Sequence, residues 1–387
     1  MPEPQVIVTQ RGADRVLSGH LWIYRTDLRG VDAAAGDIVR ILDERSRFLG
    51  KAFFSDRSQI ALRLLTRDDV PVDRAFFLER IRSAACYRKR VVEDTEVYRL
   101  VYGEGDLFPS LIVDRYADCL VIQTLSQATE RRKTEFLDIL LELFSPRAVV
   151  ERNDPKVRLL EGLDQAVSIL YGDVPAEVVA RENGVPFSFD MLKGQKTGAF
   201  LDQRENRRAA ATYASGSVLD CFTYGGGFAL TVASKAASVE AIDLSPAAVE
   251  AGRHNQALSG ITNTTFREAN AFDVLKHYDE TGHRFDLIIL DPPAFAKNRA
   301  SVPAARRGYK EINLRSLKLL HPGGYLITCS CSYHIPEYLF LEILAEAAND
   351  AKRSTVVVER RTQSRDHPIL LTVPETHYLK CMIVKAL

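Results

Sequence analysis

Ser217–Leu230 reads SVLDCFTYGGGFAL: a strand-sized apolar run, three consecutive glycines, then the helix-like TVASKAA of residues 231–237. Strand, glycine turn and helix in that order open an alternation that runs to the end of the chain. SVEAIDLS (238–245), NTTFREAN (263–270), FDLIILDPP (285–293) and GGYLITCSCS (323–332) read as further strands with helical segments between them. Such alternation predicts an α/β domain, a parallel sheet with helices on both faces. STVVVERR (354–361) and HYLKCMIVKAL (377–387) have no helix between them, so they are expected to pair antiparallel and close the sheet with a hairpin.

Upstream the period changes twice. VIVT (6–9), AGDIVRILDE (35–44), RFLGKAFF (47–54) and SQIALRLLT (58–66) alternate with turn residues and read as a small all-β unit, residues 1–70. Phe77, Ile81, Ala84, Ala85 and Arg88 then repeat at helical spacing. VYRLVY (97–102) and SLIVDRYADCLVIQTLS (110–126) read as strands and ERRKTEFLDILLELF (130–144) as one helix, giving an α+β central domain over 71–190. The α/β domain occupies 191–387.

At 387 residues, 46% hydrophobic and 26% charged, the chain has ordinary globular composition, which excludes disorder and collagen-like structure. No apolar run approaches a bilayer span, and the N-terminus lacks the pattern of a secretory signal, so a cytoplasmic protein with no membrane association is expected. Lys+Arg and Asp+Glu both total 51, so any polyanion surface must be a local patch. The six cysteines form no C-x2-C pair, no metal site is expected, and five of them are read as lying within or beside apolar strands.

Gly225, Gly226 and Gly227 clear side chains from the place where the backbone turns into a helix, so a ligand could approach the main chain there. The spacing is not G-x-G-x-x-G, which disfavours a dinucleotide. Asp243 ends the second strand, where a carboxylate can accept both hydroxyls of a ribose. Asn270 follows the third strand, where an amide could read an adenine edge or simply make a turn. Asp291 leaves the fourth strand into Pro292 and Pro293, a stiff exit that presents the carboxylate and fixed carbonyls to the crevice.

Cys329 and Cys331 lie two residues apart on the fifth strand and are expected to share a face. Cys119, Cys221 and Cys381 read as buried apolar residues. Cys331, flanked by Ser330 and Ser332 at the strand's carboxyl end, is placed to react. A thiolate adds readily to carbon 6 of a pyrimidine, makes carbon 5 nucleophilic and can leave again. Cys331 is therefore the candidate nucleophile and Asp291 the group that holds the base edge. The residues leave cytosine and uracil equally open.

With the acid-Pro-Pro turn, the glycine loop and the terminal hairpin, the α/β domain resembles the Rossmann-like sheet of class I S-adenosylmethionine-dependent methyltransferases that act on nucleic acid. The whole chain is similar to the bacterial 23S ribosomal RNA cytosine-5 methyltransferases with an N-terminal PUA domain. GHLWIYRTDL (19–28) resembles that family's PUA segment, a small β-barrel that binds RNA. LVYGEGDLFPSLIVDRY (100–116) resembles its central signature, with Glu104, Asp106, Pro109, Asp114 and Arg115. GQKTGAFLDQREN (194–206) resembles the loop leading into the catalytic domain. The resemblance implies S-adenosylmethionine as cofactor, held by Gln195, Thr197, Gly198, Asp220, Phe222, Gly225, Gly227, Asp243, Asn270, Asp291 and Pro292. It implies 23S ribosomal RNA as partner and leaves room for a homodimer. The chain departs from the family pattern at Leu21, Leu107, Ser110 and Asn270.

For RNA contact the candidates are Lys196, Trp22 and the cluster Arg306, Arg307 and Lys310 after the DPPAF turn. Clusters at Arg88–Arg90 and Arg131–Lys133 read more readily as solvated helix faces. Three other activities remain in view. A ring-nitrogen or amino methyltransferase would need no thiolate, and a nicotinamide oxidoreductase would leave Cys331 unexplained. A non-catalytic assembly factor would bind RNA without transferring methyl.

Overall fold

A computed structural model describes residues 3–387. The chain folds into two compact units that interleave in sequence. One holds the residues up to Ala180 with Phe189–Leu201 and Arg365–Thr376; the other holds Arg181–Ser188, Asp202–Ser364 and His377–Leu387. This grouping differs from a division at residues 70 and 190. The later segments 189–201 and 365–376 group with the first unit.

The first unit carries two sheets. One has six strands in the spatial order Trp22–Tyr24, Ile60–Thr66, Phe48–Phe54, Ile38–Leu42, Gln5–Val8 and Leu28–Asp32. This region is not all-β as expected, because Gln10–Leu17 is a helix. Its cap is Thr9, whose hydroxyl accepts from the Gly12 amide at 3.2 Å. Only Gly12, Ala13 and Val16 are buried along its eight residues, too few to write a helical period into the sequence. The second sheet has five strands in the order Ala166–Gly172, Ala148–Asn153, Cys119–Thr124, Leu111–Tyr116 and Val97–Tyr102. The helix Arg74–Val91 buries Phe77, Ile81, Ala84 and Arg88 and carries Cys86 on its exposed side, so that cysteine is not beside a strand. The helix expected over 130–144 breaks at Arg132 into Gln127–Arg131 and Lys133–Phe144. Phe53 and Leu65 of the six-stranded sheet share one core with Phe77, Phe108 and Phe136, so the change of architecture near Pro71 is not an end of packing.

The second unit is the expected doubly wound sheet. After α1 (Arg204–Tyr213) come β1 (Ser217–Cys221), α2 (Gly227–Ala233), β2 (Ser238–Asp243), α3 (Pro246–Ser259), β3 (Thr264–Glu268) and α4 (Ala271–Thr281). Then follow β4 (Phe285–Leu290), α5 (Val302–Leu319), β5 (Leu320–Ser330), α6 (Glu337–Asp350), β6 (Thr355–Arg361) and β7 (Lys380–Ala386). The strands lie in the order β3-β2-β1-β4-β5-β7-β6. The first five are parallel, whereas β7 inserts antiparallel between β5 and β6. β1 and β4 are buried on both faces, as their continuous apolar runs require. Their junction is where the strand order reverses, and a ligand crevice is expected at the carboxyl ends there. Among the described residues no helix is long and apolar enough to cross a membrane.

Candidate active site

The glycine turn after β1 is built for the protein's own packing as much as for a ligand. Phe222, Tyr224 and Gly226 all take left-handed backbone angles, φ +66°, +50° and +83°, so the chain coils tightly between strand and helix. A Cβ on Gly226 would lie 2.7 Å from the Phe266 ring, and one on Gly227 would lie 2.6 Å from the Arg207 guanidinium. Gly225 is held from α3, where the buried Asn255 donates its amide to the Gly225 carbonyl at 2.9 Å.

Three carboxylates converge at the strand ends. Asp243 accepts from the Tyr224 amide and the Ser245 amide, both at 2.9 Å, one on each oxygen. Asp220, wholly buried, accepts on one oxygen from the Thr223 hydroxyl at 2.6 Å and the Ala229 amide at 3.0 Å. Burial pushes its carboxyl up to about 7 against those hydrogen bonds, with Asp291 and Asp243 adding repulsion. Its other oxygen, Oδ1, is buried with no hydrogen-bond partner. A buried, orphaned carboxylate oxygen amid three acids fits a ligand carrying cationic and donor groups. The sulfonium and ammonium of S-adenosylmethionine meet that requirement. Asn270 caps α4, its side-chain oxygen accepting from the Phe272 amide at 2.9 Å, so its NH2 is the group able to read an adenine.

Asp291 is gripped from outside the sheet. Gln203, buried at the start of α1, donates to Asp291 Oδ1 at 2.8 Å, and its own oxygen accepts from Asn206 at 2.7 Å. Arg361 on β6 donates to Asn206 Oδ1 at 3.0 Å, which completes a relay from the far edge of the sheet to the DPPAF turn. Gln203 and Asn206 belong to the GQKTGAFLDQREN stretch, yet nothing in their spacing singled them out.

β5 ends at Ser330, one residue before the candidate nucleophile. Cys331 therefore lies just past the ladder that pairs Cys329, and the two cysteines differ in burial. Cys329 is buried opposite Cys381 on β7; their hydrogen bond and the burial push its thiol well above the ordinary value. Cys331 is half-exposed, with Sγ 4.0 Å from the carbonyl oxygen of Pro292. The flanking serines fix it there. Ser330 and Ser332 both hydrogen-bond the Tyr309 hydroxyl of α5, at 3.1 and 3.0 Å. Ser332 also accepts from the Ala296 amide at 3.1 Å, tying the strand tip to the DPPAF turn. Cys119, Cys221 and Cys381 are buried, as expected.

Gln195, Thr197 and Gly198 lie in the first unit. Thr197 is buried there, donating to Asp114 at 2.6 Å and lying 3.1 Å from the Tyr116 hydroxyl, while Arg152 donates to the Gly194 carbonyl at 2.8 Å. Asp114 in turn pairs with Arg99 through two bonds of 2.8 Å. The central signature is thus a clamp on this loop. Its other acids are likewise structural: Glu104 accepts from the Trp22 indole at 2.9 Å, and Asp106 pairs with buried Arg88.

The basic candidates divide. Lys196 sits 4.4 Å from the centre of the Phe200 ring. Arg306 pairs with Glu346 and Glu342, and Lys310 with Asp350 at 2.8 Å and Glu346, all on α6. A phosphate would have to displace those carboxylates, whereas Arg307 on the same helix is exposed. Arg131 pairs with Asp37, and Lys133 with Glu130 and Glu151. Among the described residues no group of acids, histidines and cysteines could hold a metal ion.

Residues 149–383 match the family model of S-adenosylmethionine-dependent methyltransferases, and residues 6–67 match a PUA-like domain. Among curated proteins, the chain is 40% identical over 383 residues to the ribosomal RNA large subunit methyltransferase I of Tolumonas auensis, covering 96% of each. It is 40% identical over 376 residues to the protein of the same name from Shewanella amazonensis, covering 95% of each. Among solved structures, a Streptococcus mutans protein assigned as a SAM-dependent methyltransferase superposes with a TM-score of 0.83. That alignment covers 98% of this chain and 99% of the other at 19% identity, and shows the shared fold.

Proposed function

The chain belongs to the S-adenosylmethionine-dependent methyltransferases that carry a PUA-like domain, and on that premise we propose that it methylates carbon 5 of a cytosine in 23S ribosomal RNA, in the cytoplasm, through a covalent Cys331 adduct. The observation that carries the chemistry is the half-exposed sulfur of Cys331, 4.0 Å from the carbonyl of Pro292, the residue that follows Asp291 in the acid-Pro-Pro turn. The names of the relatives support ribosomal RNA of the large subunit as substrate.

S-adenosylmethionine supplies an electrophilic methyl group on a sulfonium. Asp220 Oδ1, Asp243 and the Asn270 amide are the groups of this chain suited to hold it. The Cys331 thiolate adds to carbon 6, forming a C–S bond and moving the electron pair of the 5,6 double bond onto carbon 5. The ring nitrogen takes up a proton, which offsets the negative charge the thiolate brings, and Asp291, oriented by Gln203, holds that N–H edge. Carbon 5 would take the methyl group with that electron pair, the bond from methyl to sulfur breaking so that the donor leaves as a neutral thioether. Loss of the carbon 5 proton to a base then restores the double bond and expels the thiolate, leaving Cys331 free for another turn. The target base must be unpaired or flipped, since both faces of its ring are engaged.

The test is methylation of 23S RNA, with mass spectrometry of the product, by the wild type and by Cys331→Ala. Loss of 5-methylcytidine in the variant, with RNA and cofactor still bound, is expected. Full transfer by Cys331→Ala would overturn the adduct and mark amine or ring-nitrogen chemistry instead. RNA carrying 5-fluorocytidine at the target should trap the wild type, and not the variant, as a covalent complex.

A further inference from the structure

One buried cation in the second unit is held by neutral acceptors, with no carboxylate beside it among the described residues. Lys380 opens β7, directly opposite Ser330 in the register, and is 4% exposed. Its Nζ donates to two neutral acceptors, the Ser332 carbonyl at 2.7 Å and the Tyr378 carbonyl at 2.9 Å. It forms no ion pair among the described residues. The charged groups that act on it are Cys331 and Glu337. Glu337, on α6, is itself 3.6 Å from Arg360, and the Tyr378 hydroxyl is turned to Asp202 at 2.5 Å. A desolvated ammonium without a carboxylate is costly, and a fold needing only packing at this position would be better served by an apolar residue.

Resting on the reading of Cys331 as the nucleophile, we propose that Lys380 is a positioning residue that fixes the Cys331 turn through the Ser332 carbonyl and holds the sulfur as thiolate. Ser330 and Ser332 bracket the cysteine, and Lys380 meets both, the first by strand register and the second by its ammonium. The sulfur is then the counter-charge that the ammonium lacks. Burial pushes Lys380 down to about 8, so it remains mostly protonated at neutral pH, and the Cys331 charge opposes that fall. The pairing is reciprocal: an ammonium stabilised by a thiolate lowers the pKa of the thiol by the same free energy. With Cys329 pinned in the core against Cys381, this arrangement distinguishes the two cysteines: one thiol is kept neutral and the other is kept ionised.

The experiment measures alkylation of Cys331 by iodoacetamide across pH in the full chain. Peptide mass mapping separates Cys331 from the exposed Cys86. Lys380→Met, Lys380→Gln and Lys380→Arg are compared with the wild type. In Lys380→Met and Lys380→Gln the alkylation midpoint should move up and the rate at neutral pH should fall about tenfold, the equivalent of one pKa unit. Methyl transfer should fall in kcat with KM for RNA unchanged, and Lys380→Arg should recover part of both. Melting temperature should hold or rise in Lys380→Met. An unchanged alkylation profile in either folded neutral variant would overturn the proposal. Full activity of Cys331→Ala would instead overturn the nucleophile reading, leaving the alkylation profile to judge the ion pair by itself.

Discussion

Gln203 and Asp291 are 88 residues apart in sequence and joined by one hydrogen bond, the amide donating to Oδ1 at 2.8 Å. Gln203 is buried and is anchored from behind by Asn206 and Arg361, so the bond fixes Oδ1 of Asp291 from a rigid support. A half-exposed carboxylate at the end of a strand would otherwise sample several rotamers. The relay converts it into a directed group.

Gln203→Ala is therefore expected to lower the rate of methyl transfer at saturating substrate by roughly tenfold to a hundredfold, the loss of one hydrogen bond to a charged group of about 1.5–3 kcal/mol. Single-turnover kinetics would show it, with cofactor affinity little changed. An effect confined to KM for RNA would contradict the assignment.

The raised Asp220 carboxyl predicts a pH dependence of cofactor binding. Only the ionised form attracts a cationic ligand, so affinity measured by calorimetry should weaken as pH falls through about 7. Asp220→Asn should bind poorly at every pH. In the absence of cofactor the sign reverses. Because the folded value lies above the ordinary 3.8, this group stabilises the fold fully below that value and its contribution is lost as pH rises through about 7. Asp220→Asn should thus gain in melting temperature over the wild type at alkaline pH, and the gain should shrink in acid.

Gly226→Ala should destabilise the protein by about 1–3 kcal/mol, since it places a Cβ in left-handed backbone and against a ring. Trimming that ring with Phe266→Leu should recover the steric part of the loss and not the backbone part. Thermal melts of the two single variants and the double variant form the cycle that separates them.

Ser332→Ala removes the acceptor of the Ala296 amide and a partner of the Tyr309 hydroxyl. Leaving the buried amide unsatisfied costs about 1–3 kcal/mol. Hydrogen exchange at Ala296 should accelerate, and activity should fall as the DPPAF turn and the cysteine lose their common anchor. Unchanged exchange at that amide would show that the two segments hold their positions independently.

Much of the catalytic unit was legible along the chain. Apolar runs of strand length separated by helical periods can fold in few ways, so the parallel sheet, its order of elements and the antiparallel close by residues 354–361 and 377–387 followed from pattern. Asp243, Asp291 and Cys331 were legible because each stands where an apolar run stops, and strand ends are where side chains reach a crevice, whereas Asp220 came only from the family resemblance. The short helix Gln10–Leu17 was not legible, since its few buried residues write no period, and neither was the break at Arg132.

The sequence by itself determined which residues could do chemistry, because residue type and position along a strand are local properties. Tertiary structure alone decided which of them are equipped to do it. Cys329 and Cys331 are chemically identical and two residues apart, yet the strand ends between them, so one faces Cys381 in the core and the other faces the Pro292 turn. Gln203 and Lys380 come from opposite ends of the catalytic unit, and no spacing rule brings them to Asp291 and Cys331. Only the closing of the sheet by β7, and the seating of the residues that begin α1, puts an amide on Asp291 and an ammonium on the carbonyl of Ser332, next to Cys331.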